Sequence, residues 1–451
     1  MQVNFDHILG KIKPMHAVGQ PPMLGTSCEY FRYLKEANIP YARLHDVGMK
    51  RLTPMVDISC IFPDMSKDEN DPANYDFEYT DVLVTGLMQN DCPPIFRLGE
   101  TIENAIAKGF KPRYVIAPAD PHKWARVCEH IIRHYNEGWA NGFTYGIVYW
   151  EIWNEPDNGF QEPDYTRTDN PYYDVNMMWV GTNEQYFELY AVTAKHLKSC
   201  FGSSIKVGGY ASSGLYAIFN DPEKYGIDKK YHKFYRERYD TFLQYFYDFL
   251  AYVKKEDAPF DFYSWHSYSD VDRTVIMGNF VIDTLEKAGY GDIEVHLNEW
   301  NNAHSYEGLG TAYACAHATA MMLAMQDTKT YMLNYYDAKI GVSAYGGMFS
   351  PMALKPFCLY YGFQAFGELF ALGNQAECIL DAQDVYAVAA TDGKEQAVLI
   401  ANIGKDTQLT TNLEGFRVYL IDETHSIEAI DADPTVLTIG ENQVLLLKKS
   451  D

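Results

Sequence analysis

Between residue 16 and about residue 370 the chain alternates two textures. Short runs rich in β-branched and aromatic residues are followed by longer stretches whose apolar residues recur every three or four positions. The short runs read as strands and the longer stretches as amphipathic helices. Eight strands are predicted: His16–Gly19, Tyr41–Asp46, Pro94–Leu98, Gly146–Trp153, Ile205–Tyr210, Phe260–His266, Ile293–Glu299 and Thr330–Tyr336. The helical stretches include TSCEYFRYLKEANI, opening on a Thr26-x-x-Glu29 capping box. HKWARVCEHIIRHYNEG and NEQYFELYAVTAKHLKSCFG each close at a glycine, and DTFLQYFYDFLAYVKKE, TAYACAHATAMMLAMQD and KPFCLYYGFQAFGELF continue the series. Strands joined by helical crossovers are parallel, and eight such units close an α/β fold into a (β/α)8 TIM barrel. An open doubly wound sheet would want a glycine-rich phosphate turn after an early strand, and the chain has no G-x-G-x-x-G.

From about residue 373 the helical period disappears. DVYAVAATDGKEQAVLIANIG reads as a hairpin turning at Asp392-Gly393, and FRVYLIDETHSIEAI and TVLTIGENQVLLLKK are further alternating strands. The expected organisation is a catalytic barrel over residues 10–372 and a small β-sandwich-like accessory domain over residues 373–451, completed by residues 1–9. No proline- or serine-rich linker separates the two, so they should pack together.

Charge narrows the function classes. Thirty-seven basic against 61 acidic residues leave a net charge of −24, which argues against nucleic acid as a partner. No run of about 18 apolar residues is present, so no membrane span is expected. The N-terminal MQVNFDHILGKIKPMH lacks the apolar core and cleavage site of a signal peptide, and eight scattered cysteines include no Cys-x-x-Cys pair. Free thiols and a cytoplasmic location are the expectation, with homo-oligomerisation left open.

Two carboxylates sit where a barrel keeps its chemistry, at the C-terminal ends of strands. Glu155 ends the fourth strand in WEIWNEPD, and Glu299 ends the seventh in EVHLNEWNN. Two carboxyl groups facing one cavity are the machinery of glycoside hydrolysis: one is protonated to help the leaving oxygen, the other ionised to attack or to activate water. Burial and mutual repulsion push the two apart in acidity and so assign the roles. For either glutamate alone, a plainer role as a helix cap or as partner to Arg43 or Arg97 competes; both together, on these strands, favour catalysis. Metal chemistry is disfavoured: His16 stands alone, and His296 and Glu299, three apart on a strand, should point to opposite faces. No cofactor is expected. A non-catalytic sugar-binding protein is the other rival, and it has no need of the carboxylate pair.

With IPYARLHDV, YDFEYTDVLVTGLMQNDCPPIFRLGE, FDFYSWHSY and YGGMFSPMALKPFCLYYGFQAF in the same order, these motifs resemble glycoside hydrolase family 39, the β-xylosidase and α-L-iduronidase family of retaining (β/α)8-barrel enzymes. The resemblance covers most of the chain. It implies that Glu155 is the general acid/base and Glu299 the nucleophile, with Asn154 bonding the sugar 2-hydroxyl and His45, His266 and Tyr268 contacting substrate. Tyr335 and Trp300 are counted with the substrate-binding residues. The implied activity is a cofactor-free exo-glycosidase acting on oligosaccharides or glycosides. The eighth strand departs from the family's β-xylosidases, which carry a Tyr-Trp-Thr-Phe-type run followed by an acidic loop with a sugar-binding Glu. Here YMLNYYDAKIGVSAYGGMF has Leu333 or Tyr335 at the Trp position and no Glu in the loop. That opens α-L-arabinofuranosidase or another sugar specificity, and the lack of a placed Lys/Arg pair weakens a uronate. Three aromatic-rich insertions, Phe110–Trp124, Pro156–Trp179 and Leu215–Tyr239, are expected to wall the cleft, with Trp124, Trp179 and Tyr225 as candidate stacking rings.

Overall fold

Eight short strands, none longer than seven residues, are spaced along residues 17–335, and each pairs in parallel with its sequence neighbours. They are β1 (Ala17–Gly19), β2 (Ala42–Leu44), β3 (Pro94–Leu98), β4 (Tyr149–Ile152), β5 (Lys206–Ser212), β6 (Phe262–Ser267), β7 (Glu294–Trp300) and β8 (Met332–Tyr335). β8 returns to pair with β1, so the sheet closes into an eight-stranded barrel. The structure is a computed structural model, and it describes residues 1–25, 27–49, 53–101, 115–158, 178–302, 308–341 and 345–449.

Alternation along the strands sorts the barrel's contents by depth. Ala17, Ile95, Tyr149, Phe262 and Met332 form one apolar layer. Two residues further along their strands, Arg97, Glu151, Ser264 and Asn334 fall on the same face. Gly208 on β5 leaves room for this packing, since a Cβ there would meet the Phe262 carbonyl oxygen at 2.2 Å. Near the start of β7, Glu294 takes the Lys206 ammonium and, at 3.0 Å, the Tyr149 hydroxyl. The long helices Pro121–Glu137 and Asn183–Phe201 cover the outside. Asp120 caps the first through the His122 and Lys123 amides, and a Thr182–Gln185 capping box opens the second. The predicted Thr26-x-x-Glu29 box begins on a residue outside those described. The chain after it forms only a single 3-10 turn, Glu29–Phe31, and a short helix, Arg32–Glu36.

A seven-stranded antiparallel sheet stands beside the barrel. Its order is Gln2–Lys11, Asn374–Ile379, Val385–Thr391, Gln396–Asn402, Gln443–Lys449, Arg417–Ile421 and Ser426–Ile430. Period-two alternation gives it two apolar faces. Val388, Leu399, Val444 and Leu446 join the barrel's core, where the helices Ala312–Gln326 and Cys358–Leu372 pack. Val398, Ile400, Leu445 and Leu447 face the other way, onto Leu409, Leu437 and Ile439 of the two-stranded ribbon Thr407–Thr410/Val436–Ile439. The hairpin turn falls at Asp392-Gly393, with Gly393 at φ 94°, a conformation natural only to glycine. Gln326 stitches the units together: its amide nitrogen donates to the Lys11 carbonyl and to Gln375, and its oxygen accepts from the Lys13 amide. The cysteines are thiols, none of them held in a disulfide. Among the described residues no helix is long and apolar enough to cross a membrane.

Candidate active site

β4 leaves the barrel through a tight turn. Trp153 has φ 71° and Glu155 φ 46°, both left-handed, where a side chain costs about 1 kcal/mol or more. Neighbouring groups hold that geometry. The Trp153 amide donates to the Leu98 carbonyl at 2.7 Å and the Glu155 amide to the Ala211 carbonyl at 3.0 Å. The Trp153 ring sits edge-on to Trp179 and beside Trp124. Asp157 accepts from the hydroxyls of Ser212 and Ser213, tying the turn to the end of β5. The result is a carboxylate aimed back over the barrel axis, still 19% exposed.

β7 delivers the second carboxylate by a different device. Its register slips by one residue against both neighbours between Leu297 and Glu299 or Trp300. Such a bulge re-aims side chains. Asn298 and Glu299, adjacent in sequence, both reach the barrel's polar interior: Asn298 donates to Glu151, while Glu299 accepts from Arg43 at 3.0 Å. The bulge also overturns the expectation that His296 and Glu299 face apart. His296 stacks on Phe262 in the apolar layer and pairs with Glu294, several ångström deeper in the barrel than Glu299.

The two carboxylates meet around His266 at the end of β6. Its Nδ1 is 2.8 Å from Glu155 and 3.4 Å from Glu299, and one oxygen of each carboxylate lies within 4.8 Å of the other. That separation belongs with the ~5–5.5 Å carboxyl spacing of retaining glycosidases and not with the ~6.5–9.5 Å of inverting ones. Their surroundings differ in kind. Glu299 accepts from Arg43 and, at 2.8 Å, from the Tyr268 hydroxyl. Glu155 makes no ion pair with an arginine or lysine among the described residues, and burial raises its pKa to about 7. Burial also lowers His266 to about 4, so the imidazole is neutral at neutral pH, and it holds the Tyr268 hydroxyl well above its usual value, a proton donor throughout.

Arg43, 1% exposed, is the hub beneath them. Its Nε donates to Glu151, Nη1 to Glu299 and Nη2 to Asn154 at 2.6 Å. Glu151 also accepts from Ser264 and Asn298. The ion-pair role and the strand-end position of Glu299 are therefore one arrangement. Arg97 is occupied elsewhere, with Asp57 at 2.7 Å. Glu155, His266 and Glu299 have the donor atoms to hold a cation, but the Arg43 guanidinium already compensates Glu299 and opposes a second positive charge.

Of the predicted residues, Asn154, Glu155, His45, His266, Tyr268 and Glu299 converge. His45 Nε2 lies 3.3 Å from Asp46 and 3.9 Å from Glu299. Trp300 and Tyr335 do not join them. Both point outward: their rings pack edge to face at 5.2 Å and lie against Phe363 of the last barrel helix. The residue after Tyr335 takes the inward place. The Tyr336 hydroxyl donates to Asp46 at 2.9 Å and accepts from Gln20, and its ring stands perpendicular to those of Tyr268 and Tyr345. Strand alternation from Asn334 would have singled out Tyr336; Glu151 and Tyr345 carried no comparable signal. Trp124 and Trp179 are about 2% and 1% exposed supports of Trp153, and Tyr225 packs on Phe280 on the outer wall. Residues 110–114 and 159–177 of the predicted insertions lie outside the described residues.

The sequence model of glycosyl hydrolases family 39 matches residues 20–308. A β-xylosidase of Geobacillus stearothermophilus is 25% identical over 205 residues, which are 43% of this chain and 31% of that protein; the chain thus spans about a third of that relative's length. A glucosidase structure from Croceicoccus marinus superposes with a TM-score of 0.74 at 19% identity, over 100% of this chain and 98% of the other. A family 39 β-xylosidase structure from Caulobacter crescentus gives 0.68 at 16% identity, over 100% and 99%. At these identities the superpositions speak for the fold.

Proposed function

The chain belongs to glycosyl hydrolase family 39, whose model spans well over half of it, and from that premise we propose a retaining exo-glycoside hydrolase of β-xylosidase type that cleaves terminal sugars from oligosaccharides. The observation that carries the reading is the approach of Glu155 and Glu299 to within 4.8 Å around His266 at the barrel's C-terminal mouth. Glu299 attacks the anomeric carbon while Glu155 gives its proton to the departing glycosidic oxygen, leaving a covalent glycosyl-enzyme. Glu155, now ionised, takes a proton from water, which displaces Glu299 and releases the sugar with its starting anomeric configuration. Asn154 bonds the sugar 2-hydroxyl in this reading, a contact that strengthens as oxocarbenium character develops; its fixing by Arg43 supports that role. NMR of the first-formed product from an aryl glycoside tests the stereochemistry; an inverted anomer defeats the assignment.

The eighth strand supports a second reading of the sugar. Tyr336, hydrogen-bonded to Asp46 and Gln20, forms the inward wall at the end of a strand whose run departs from the Tyr-Trp-Thr-Phe type of the family's β-xylosidases. An α-L-arabinofuranosidase or another exo-acting specificity fits that altered wall. A panel of aryl xylosides, arabinofuranosides, galactosides, glucosides and iduronides discriminates them, and binding without turnover on every member would favour a non-catalytic sugar-binding protein.

A further inference from the structure

The helices Pro121–Glu137 and Asn183–Phe201 lie side by side on the outer wall, and their facing turns carry a cluster that the glycosidase chemistry does not use. Glu129 comes from the first helix, His196 and Cys200 from the second, the latter two one helical turn apart on one face. Glu129 Oε2 is 2.6 Å from His196 Nε2, and Cys200 Sγ is 3.9 Å from the same nitrogen. All three donor atoms lie within 4.8 Å of one another. A cysteine–histidine–carboxylate relay would use opposite ring nitrogens; here thiol and carboxylate meet at one nitrogen, so the donors surround a point.

We propose that Glu129, His196 and Cys200 form a zinc(II) site that clamps these two helices together, with water completing the coordination. Imidazole nitrogen, thiolate sulfur and carboxylate oxygen are the ligand types zinc takes, at about 2.0–2.1, 2.3 and 2.0–2.2 Å. Around a tetrahedral ion those bond lengths separate nitrogen and sulfur by about 3.5 Å and nitrogen and oxygen by about 3.3 Å. The nitrogen–oxygen spacing therefore opens by about 0.7 Å and the nitrogen–sulfur spacing closes by about 0.4 Å when the ion enters. The other Glu129 oxygen accepts from Arg133 Nε at 2.7 Å, an outer partner that fixes the carboxylate and turns Oε2 toward the site. Arg133 also pairs with Glu137 and lies over the Phe201 ring. On binding, the Cys200 thiol loses its proton to solvent, and the proton that His196 Nε2 shares with Glu129 leaves that nitrogen, the neutral ring then carrying its proton on Nδ1. Glu129, Glu137 and the thiolate then set three negative charges against Arg133, a balance that one divalent cation closes.

The test uses the full chain, stripped with chelator, dialysed, and titrated with Zn2+ alone. One equivalent should bind and raise Tm by stabilising the folded state. Cys200→Ser and His196→Ala should each weaken that binding by more than the roughly 10–100-fold typical of a lost outer partner, and Arg133→Gln by an amount within that range. Co2+ should give a thiolate-to-metal charge-transfer band that Cys200→Ser removes. Glu299→Gln should leave Zn2+ uptake intact, which separates this site from the carboxylate–histidine cluster in the barrel. Turnover of an aryl glycoside by Cys200→Ser serves as the folding control. Equal Zn2+ uptake and equal Tm gain in wild type and both ligand variants overturns the site, as does Co2+ binding with no thiolate band.

Discussion

Arg43 Nη1 lies 3.0 Å from Glu299 Oε1, an ion pair in which Arg43 is 1% and Glu299 8% exposed. This pair separates two glutamates that are otherwise alike. Glu299 is charge-compensated from below by Arg43 and hydrogen-bonded from the side by Tyr268, while Glu155 rests on neutral His266 and has its acidity weakened by burial. One asymmetric arginine thus leaves one glutamate compensated as a carboxylate and the other without a cation among the described residues, the division of labour that the proposed nucleophile and acid require.

Removing the nucleophile should abolish turnover without unfolding the chain. Glu299→Gln keeps an oxygen that accepts from Arg43, turns its NH2 toward the Tyr268 hydroxyl, which can accept from it, and cannot form the glycosyl ester. Hydrolysis of an activated aryl glycoside should fall to background with Tm nearly unchanged; surviving steady-state activity would reassign the nucleophile.

Replacing the acid should discriminate between leaving groups. Glu155→Gln should cost the roughly 10²–10⁴-fold of general acid catalysis on an alkyl or sugar leaving group. On a strongly activated aryl group, which departs without protonation, the first step should lose far less. A uniform loss across leaving groups would sink the acid role.

Acid strength also sets a pH profile. Glu155 must be protonated to act, so kcat/KM should decline as pH rises through about 7. Stability should move in the same direction. Burial raises Glu155 from 4.5, and Asp157 and Asp337 from 3.8, to about 7 each. With folded pKa above unfolded pKa, the folded chain binds more protons across that window, so their contribution is full below about pH 4 and lost as pH passes 7. Tm measured at pH 5.5 and 8 should be higher at the lower value, and Glu155→Gln should narrow the gap.

Tyr268→Phe deletes the hydroxyl that donates to Glu299 at 2.8 Å. A hydrogen bond to a charged group is worth about 1.5–3 kcal/mol. The variant should therefore lose roughly ten- to a hundredfold in kcat/KM while melting close to wild type. An unchanged rate would show that the hydroxyl does not steer the nucleophile.

Arg43→Met leaves Glu151 and Glu299 buried without their cation. Breaking a buried ion pair from one side costs about 3–5 kcal/mol, so thermal unfolding should shift down by many degrees and activity should vanish with it. A Tm near wild type would mean that Ser264 and Asn298 suffice for Glu151.

Much of this was legible along the chain because it is periodic. Each predicted strand overlaps an observed one, and the inward aim of Asn154, Glu155, His266 and Glu299 at strand ends belongs to parallel barrels as a class. Of the two expected residues that turn away from the cluster, Tyr335 is sent outward by simple alternation from Asn334, whereas the face of Trp300 is decided only by register. A one-residue slip moves a side chain from cleft to outer wall, and the bulge at Asn298–Glu299 introduces such a slip after two regular turns of the pattern.

The amino-acid order by itself determined the barrel and the pair of carboxylates at its strand ends, since local periodicity and strand-end position are written residue by residue. Only the tertiary structure decided how differently the two carboxylates are surrounded. That difference depends on Arg43 reaching Glu299 across 256 residues of chain and on burial that weakens the acidity of Glu155, and neither a charge's solvation nor its partner exists until the barrel closes.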